Sequence, residues 1–152
     1  MRIHICRDLP APPARVWADV SRIATHTTWM ADAEAIRFRT ARHEGVGVTF
    51  ECRTRVGPLR TTDVMRVTEW EPERVLGIEH RGAVRGVGRF TLEPAGDGTR
   101  FCWEEDLRFP WWMGGGIGAF LARPVLARIW RRNLERLAAR FPASPTDPRP
   151  TR

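Results

Sequence analysis

The chain has 152 residues, 42% of them hydrophobic and 28% charged, which suits one domain with its own core and excludes general disorder. Its formal charge of +7 is carried by arginine, with no lysine anywhere; many Arg, Ala, Gly and Pro without lysine reflect a G+C-rich coding bias, so the basicity argues only weakly for nucleic acid. The missing lysine excludes a side-chain Schiff base, and the two serines, Ser21 and Ser144, sit in no Gly-x-Ser-x-Gly elbow, which argues against a serine hydrolase.

In chain order, RIHICRD (2–8) alternates Ile3 and Ile5 with polar neighbours and predicts a strand. LPAPPARVWADVSRI follows with prolines at a helix start and Val16, Val20 and Ile23 on one face. A short second helix is predicted over THTTWM, with Thr25 as its N-cap. From residue 34 the period changes to two. EAIRFRTAR sets Ile36 and Phe38 against Arg37 and Arg39, and GVGVTFECRTR sets Val48, Phe50 and Cys52 against Thr49, Glu51 and Arg53. Further strands are predicted in 59–70, 74–81, 86–93 and 99–108, separated by hairpin punctuation such as VGPL, WEPE and PAGDGT. The result is an antiparallel meander.

After Pro110 the helical period returns. Leu126, Trp130, Leu134, Leu137 and Phe141 form an apolar stripe, with Arg128, Arg131, Arg132, Glu135 and Arg136 around it. Pro124 predicts a kink or a restart of this helix. An Arg131–Glu135 pair is expected on its solvated face. FPWWMGGGIGAF (109–120) joins the last strand to the helix. No strand follows it, a third glycine is missing from the dinucleotide pattern, and no Gly-Lys-Ser/Thr exists, so the stretch predicts a glycine hinge and not a phosphate loop. PASPTDPRPTR predicts a disordered Pro-rich tail over 142–152. A long helix must bury its stripe, and the inner face of a bent sheet is the only large apolar surface on offer.

Cys6, Cys52 and Cys102 form no CxxC and predict three small, reduced, buried side chains, with a regulatory disulfide or a nucleophile as the alternatives. The four histidines, 4, 26, 43 and 80, are scattered, so no metal site is expected. No N-terminal segment has the succession of a signal peptide, and the run 109–122 is too short to span a bilayer. The expectation is a soluble cytoplasmic protein.

Several motifs carry a resemblance: APPARVW after the first strand, TTWMADAEAIRF into the second, TEWEPERVLG, GDGTRFCWEEDLRFP, and RPVLARIWRRNLERL in the last helix. Together they resemble the SRPBCC superfamily, also called START-like or birch-pollen-allergen-like, within it the polyketide cyclase/dehydrase group, over residues 1–141. The resemblance implies an α+β helix-grip fold in a single domain: a curved antiparallel sheet of about seven strands wrapped around a long C-terminal helix, with two short helices after strand 1. It implies an apolar internal cavity and roles that range from cyclisation or dehydration of aromatic polyketides to lipid or ligand carriage, without a cofactor.

For such a cavity, alternation selects Phe38, Phe50, Met65, Phe90 and Trp103 from the sheet, with Cys52 and Phe101, and Phe120 and Trp130 from the helix; Trp112 would cover one end. Glu105 shares the face of Phe101, Trp103 and Leu107, and a carboxylate among aromatics suits general acid or base work; an ion pair with an inward arginine, or a bulge that turns it out to solvent, is the alternative. His80 alternates with Leu76 and Ile78 and is the second catalytic candidate. Asp63, between Thr61 and Met65, faces inward unless the register slips by one residue. Trp29 and Asp32 would fix the second helix at the cavity mouth. The partner expected is a small hydrophobic ligand, with no specific nucleic acid and no transmembrane segment, and with weak peripheral membrane contact through a rim of Trp111, Trp112 and Met113 as an option. A carrier or sensor without turnover is the rival reading. The Arg-rich last helix contacting anionic lipid or RNA is the third.

Overall fold

β1 (Arg2–Leu9) seats Ile3, Ile5 and Leu9 in the core and turns its polar residues outward. In the computed structural model, which describes residues 1–142, α1 (Pro13–Val20) follows, with Pro12 at its N-cap and Pro13 in its first turn, where a missing N–H costs nothing. Val16 and Val20 are its buried face. The second helix is a 3₁₀ segment, Ile23–Thr28, and its N-cap is Arg22, not Thr25. Thr25 lies inside it and donates its hydroxyl to the Arg22 carbonyl at 2.8 Å. The expected Pro-rich tail falls, apart from residue 142, outside the described residues.

Six strands follow: β2 (Ala33–Phe38), β3 (Thr49–Val56), β4 (Leu59–Glu71), β5 (Val75–Arg81), β6 (Arg85–Ala95) and β7 (Gly98–Arg108). With β1 they make one seven-stranded antiparallel sheet in the order β1-β7-β6-β5-β4-β3-β2. Register shifts in β2 (Ala33/Ala35) and β4 (Val67/Glu69) mark bulges, which bend a strand and strengthen its twist.

α2 (Gly115–Ala139) is continuous through Pro124, so the expected restart does not occur. Its second half lays Leu126, Trp130, Leu134 and Leu137 on the core, each side chain stabilising by about 1.5–3 kcal/mol of apolar burial. Before Leu126 only Ala119 is buried, so the stretch around the proline is not forced against the sheet. The helix is anchored at its C-terminal end by Arg140, whose Nε and Nη2 donate to the Asp19 carboxylate of α1 at 2.7 and 3.0 Å. Arg131 and Glu135 are both exposed, and no ion pair joins them among the described residues.

The glycines stand at the entry to the long helix. Gly114 caps α2 in the left-handed region, φ 84°, while Gly115, Gly116 and Gly118 lie within the first turns of the helix. At Gly118 a Cβ would come within 2.0 Å of the Met113 carbonyl oxygen, so the turn Trp111–Met113 and the start of α2 approach as only glycine allows.

The cysteine expectation is overturned. Cys6 and Cys102 face each other in the β1–β7 register, on the outer side of the sheet, and are disulfide-bonded; Cys52 alone is free and buried. The chain pairs its first strand with its last, and that long-range contact leaves no mark in cysteine spacing. The bond spans 96 residues. Replacing both cysteines by serine should lower the unfolding free energy by about 2–4 kcal/mol, measured by urea unfolding with and without reductant.

Candidate functional site

A cavity of about 340 Å³ lies between the concave face of the sheet and α2. Phe50, Met65, Leu76, Ile78, Phe90 and Trp103 supply much of its sheet wall, and Ala122, Val125, Leu126 and Trp130 its helix wall. The size is within the range of small-molecule sites, and the few polar groups on the wall are concentrated in named places.

One such place is built on β5, β6 and β7. Glu105 is buried and its carboxylate is held from two sides: Oε1 accepts from Trp103 Nε1 at 2.9 Å, and Oε2 pairs with His80 Nε2 at 3.1 Å. β6 runs between the strands that carry His80 and Glu105. The two side chains meet across it because its inner positions there are Gly86, opposite His80, and Gly88, opposite Glu105. A Cβ at Gly88 would sit 2.5 Å from Glu105 Oε1. Trp103 in turn stacks on Trp130 of α2, with centroids 5.1 Å apart and planes at 23°. The Trp130 indole N–H donates to Asp32 Oδ2 at 3.2 Å, and Asn133 donates to Asp32 Oδ1 at 2.6 Å. Helix and dyad are therefore one connected assembly.

Burial pulls the His80 pKa down, but the hydrogen bond and charge of Glu105, with the charge of Asp63, outweigh it, and the net shift is upward. Its second nitrogen, Nδ1, has no protein partner among the described residues. An imidazolium so placed holds one proton toward Glu105 and has another to offer. The arrangement can orient a base, donate a proton and bind an oxygen.

The sequence-selected residues divide. His80, Glu105, Phe50, Met65, Phe90, Trp103, Trp130 and Cys52 all line the cavity. The partner of Glu105 is a histidine and not an arginine. Phe101 is fully buried behind the wall. Three residues stand outside. Phe38, although inward in register, is absent from the wall and stacks on His43 at 3.9 Å. Trp112 is exposed, and Phe120, 73% exposed, faces a separate groove between β1 and α2. Both belong to the segment before Leu126, where the helix does not pack down on the sheet. Cys52 is held as a thiol, its pKa raised to about 11 mainly by burial. Asp63, Asp32 and His26 stand on the wall as well. Asp63 is legible as inward-facing from its parity with Met65; His26 sits in an irregular segment with no period to read.

His26 gives the site a pH dependence. It is buried against Trp29 and Phe90, its Nε2 bonds the Val20 carbonyl at 2.7 Å, and burial lowers its pKa to about 4. A folded pKa below the unfolded 6.5 means stability that is complete above 6.5 and is lost as pH falls toward 4. Between pH 6.5 and 5 that loss amounts to about 2 kcal/mol. His80 has the opposite sign: its contribution is complete below 6.5 and fades as pH rises through its raised pKa. Urea unfolding at the two pH values should show the acid loss in the wild type and a much smaller one in His26→Gln.

Compared with known proteins, residues 2–142 match the family described as polyketide cyclase / dehydrase and lipid transport. No curated protein matches the chain by sequence. Among solved structures, TTHA0849 from Thermus thermophilus superposes with a TM-score of 0.76 at 20% identity, covering 93% of this chain and 97% of that one. The Zhui aromatase/cyclase from Streptomyces sp. R1128 superposes with a TM-score of 0.74 at 14% identity, covering 93% of each chain. The di-domain aromatase/cyclase StfQ from the steffimycin biosynthetic pathway gives 0.73 at 12% identity, over 92% of this chain and 49% of that one. At these identities the likeness carries the fold, a helix-grip α+β architecture, and no more. No helix among the described residues is long and apolar enough to cross a membrane.

Proposed function

The chain belongs to the polyketide cyclase/dehydrase and lipid transport family, and from that premise we propose that it binds a small hydrophobic, aromatic polyketide-like molecule in its cavity and promotes its cyclisation or dehydration by cofactor-free acid/base chemistry. The observation that carries this reading is the His80–Glu105 pair in the wall of an otherwise apolar cavity, oriented by Trp103. In the proposed step His80 acts through Nδ1. As imidazolium it gives a proton to a ligand hydroxyl, which departs as water. The neutral imidazole then takes the proton from the neighbouring carbon, whose electron pair forms the new double bond. Glu105 keeps its hydrogen bond to Nε2 and holds the ring in place. The net change is loss of one water, and the histidine ends as it began.

The test is product formation from a reactive poly-β-ketone. Wild type should accelerate formation of the dehydrated aromatic product, and His80→Ala and Glu105→Gln should each lose that acceleration while still binding the hydrophobic dye N-phenyl-1-naphthylamine. Full activity in both variants would overturn the assignment.

A specific observation favours a second reading, carriage without turnover. Trp111 (87% exposed), Ile117, Phe120, Leu121 and Val125 form an exposed apolar face, and Val125 also lines the cavity. Arg123, Arg128 and Arg131 border the same stretch, with no acidic residue from 107 to 134. An apolar face with a basic border suits contact with an anionic lipid surface. Stoichiometric extraction of one compound from vesicles, without product, would favour it over the enzyme.

A further inference from the structure

The apolar wall of the cavity carries more carboxylates than arginines, although the chain as a whole carries +7. Three carboxylates line it, and two of them are answered. Glu105 has His80 and Trp103, and Asp32 has Trp130 and Asn133. Asp63 is different. It is 3% exposed, yet its only hydrogen bond among the described residues is a long one, 3.4 Å from the Val84 backbone N–H to Oδ1. No arginine or histidine pairs with it there. Its neighbour on β4, Met65, stands opposite His80, and Cys52 of β3 stands opposite Asp63 itself. On another side the Gly82 backbone packs against the carboxylate, so closely that a Cβ there would lie 1.9 Å from Oδ1.

A buried carboxylate with almost no donors is costly, and native proteins rarely leave one so. Among the described residues no further hydrogen bond reaches Asp63, and the residue stands on the wall of the cavity. Of the cations on the wall, Arg89 is committed to Glu69 through three bonds, and His80 to Glu105. His26, the other titratable group there, stays neutral through burial and bonds Val20.

We propose that the ligand of this cavity is an apolar molecule with a hydrogen-bond-donor head, a protonated amine before a hydroxyl, and that Asp63 is the residue that selects it. The proposal rests on the reading of the cavity as a binding site and adds the polarity of what it takes. The apolar body lies along Phe50, Met65 and Ile78, and the head meets Asp63. A donor is preferred to an acceptor because the site presents carboxylate oxygens, and a cation is preferred to a neutral donor because charge-assisted hydrogen bonds to a carboxylate are the stronger ones.

The test is calorimetric titration of the whole protein with three matched probes: 2-(2-naphthyl)ethylamine, 2-(2-naphthyl)ethanol and 2-ethylnaphthalene. The amine should bind at least about tenfold tighter than the hydrocarbon, with the alcohol between them. Asp63→Asn should bring the amine to within about threefold of the alcohol and leave the hydrocarbon unchanged. Equal binding of all three probes by the wild type would overturn the selectivity and leave the cavity as a plain apolar site. Binding of none would overturn the cavity reading itself. Because the three probes are compared on the unaltered protein, the outcome does not depend on the variant folding.

Discussion

Glu105→Ala should lower the unfolding free energy by about 3 kcal/mol, the lower end of the range for removing one partner of a buried ion pair. Two groups lose their acceptor at once, the Trp103 indole N–H and the raised-pKa His80 imidazolium. Both would have to find another partner in an apolar wall or give up their polarity. His80 can do so by deprotonating, and its side chain is 10% exposed, which limits the loss. Glu105→Gln keeps an acceptor for one donor and should cost about 1–2 kcal/mol. Gly88→Ala supplies an independent route to the same end, since its Cβ would collide with Glu105 Oε1 and push the carboxylate off both partners. Urea unfolding of the three variants should rank Glu105→Gln as the mildest. Equal stability of wild type and Glu105→Ala would mean that the pair carries no weight in the fold.

Asp32→Ala should cost about 2–4 kcal/mol, because it leaves two buried or half-buried donors of α2 without an acceptor. Asn133 is fully buried, and besides donating to Asp32 it accepts from the Ala31 N–H at 2.9 Å. Trp130 donates to the other Asp32 oxygen and stacks on Trp103. The segment after the 3₁₀ helix and the middle of α2 are thus clamped by one carboxylate and one amide, 101 residues apart in sequence. Asn133→Ala should cost a similar amount, and the double variant clearly less than the sum, since the two residues form one network. Additive losses would show that Asp32 and Asn133 act independently.

Much of this is legible in the sequence. Alternation in 59–108 predicts four strands to within about two residues, and the stripe Leu126-Trp130-Leu134-Leu137-Phe141 is the face that α2 buries. The inward orientation of Glu105 follows from its sharing a parity with Phe101, Trp103 and Leu107. What period cannot convey is which strands become neighbours. The Cys6–Cys102 bond depends on β1 closing against β7, and the His80–Glu105 contact on two glycines in a strand between them. Asn133, the sole asparagine, stands in a helix pattern as one more polar residue; only the fold brings Asp32 to it. Trp112 and Phe120 count as cavity residues only if every apolar residue of the segment points inward. The first half of α2 does not obey that rule.

The central claim is that the apolar cavity is a binding site, and filling it is the most direct test. Titration with N-phenyl-1-naphthylamine, followed by its fluorescence, should show saturable binding at one site in the wild type. Met65→Trp, which places a larger ring on the cavity wall, should weaken that binding at least about tenfold. Identical titrations for the two proteins, or no saturable binding in the wild type, would contradict it.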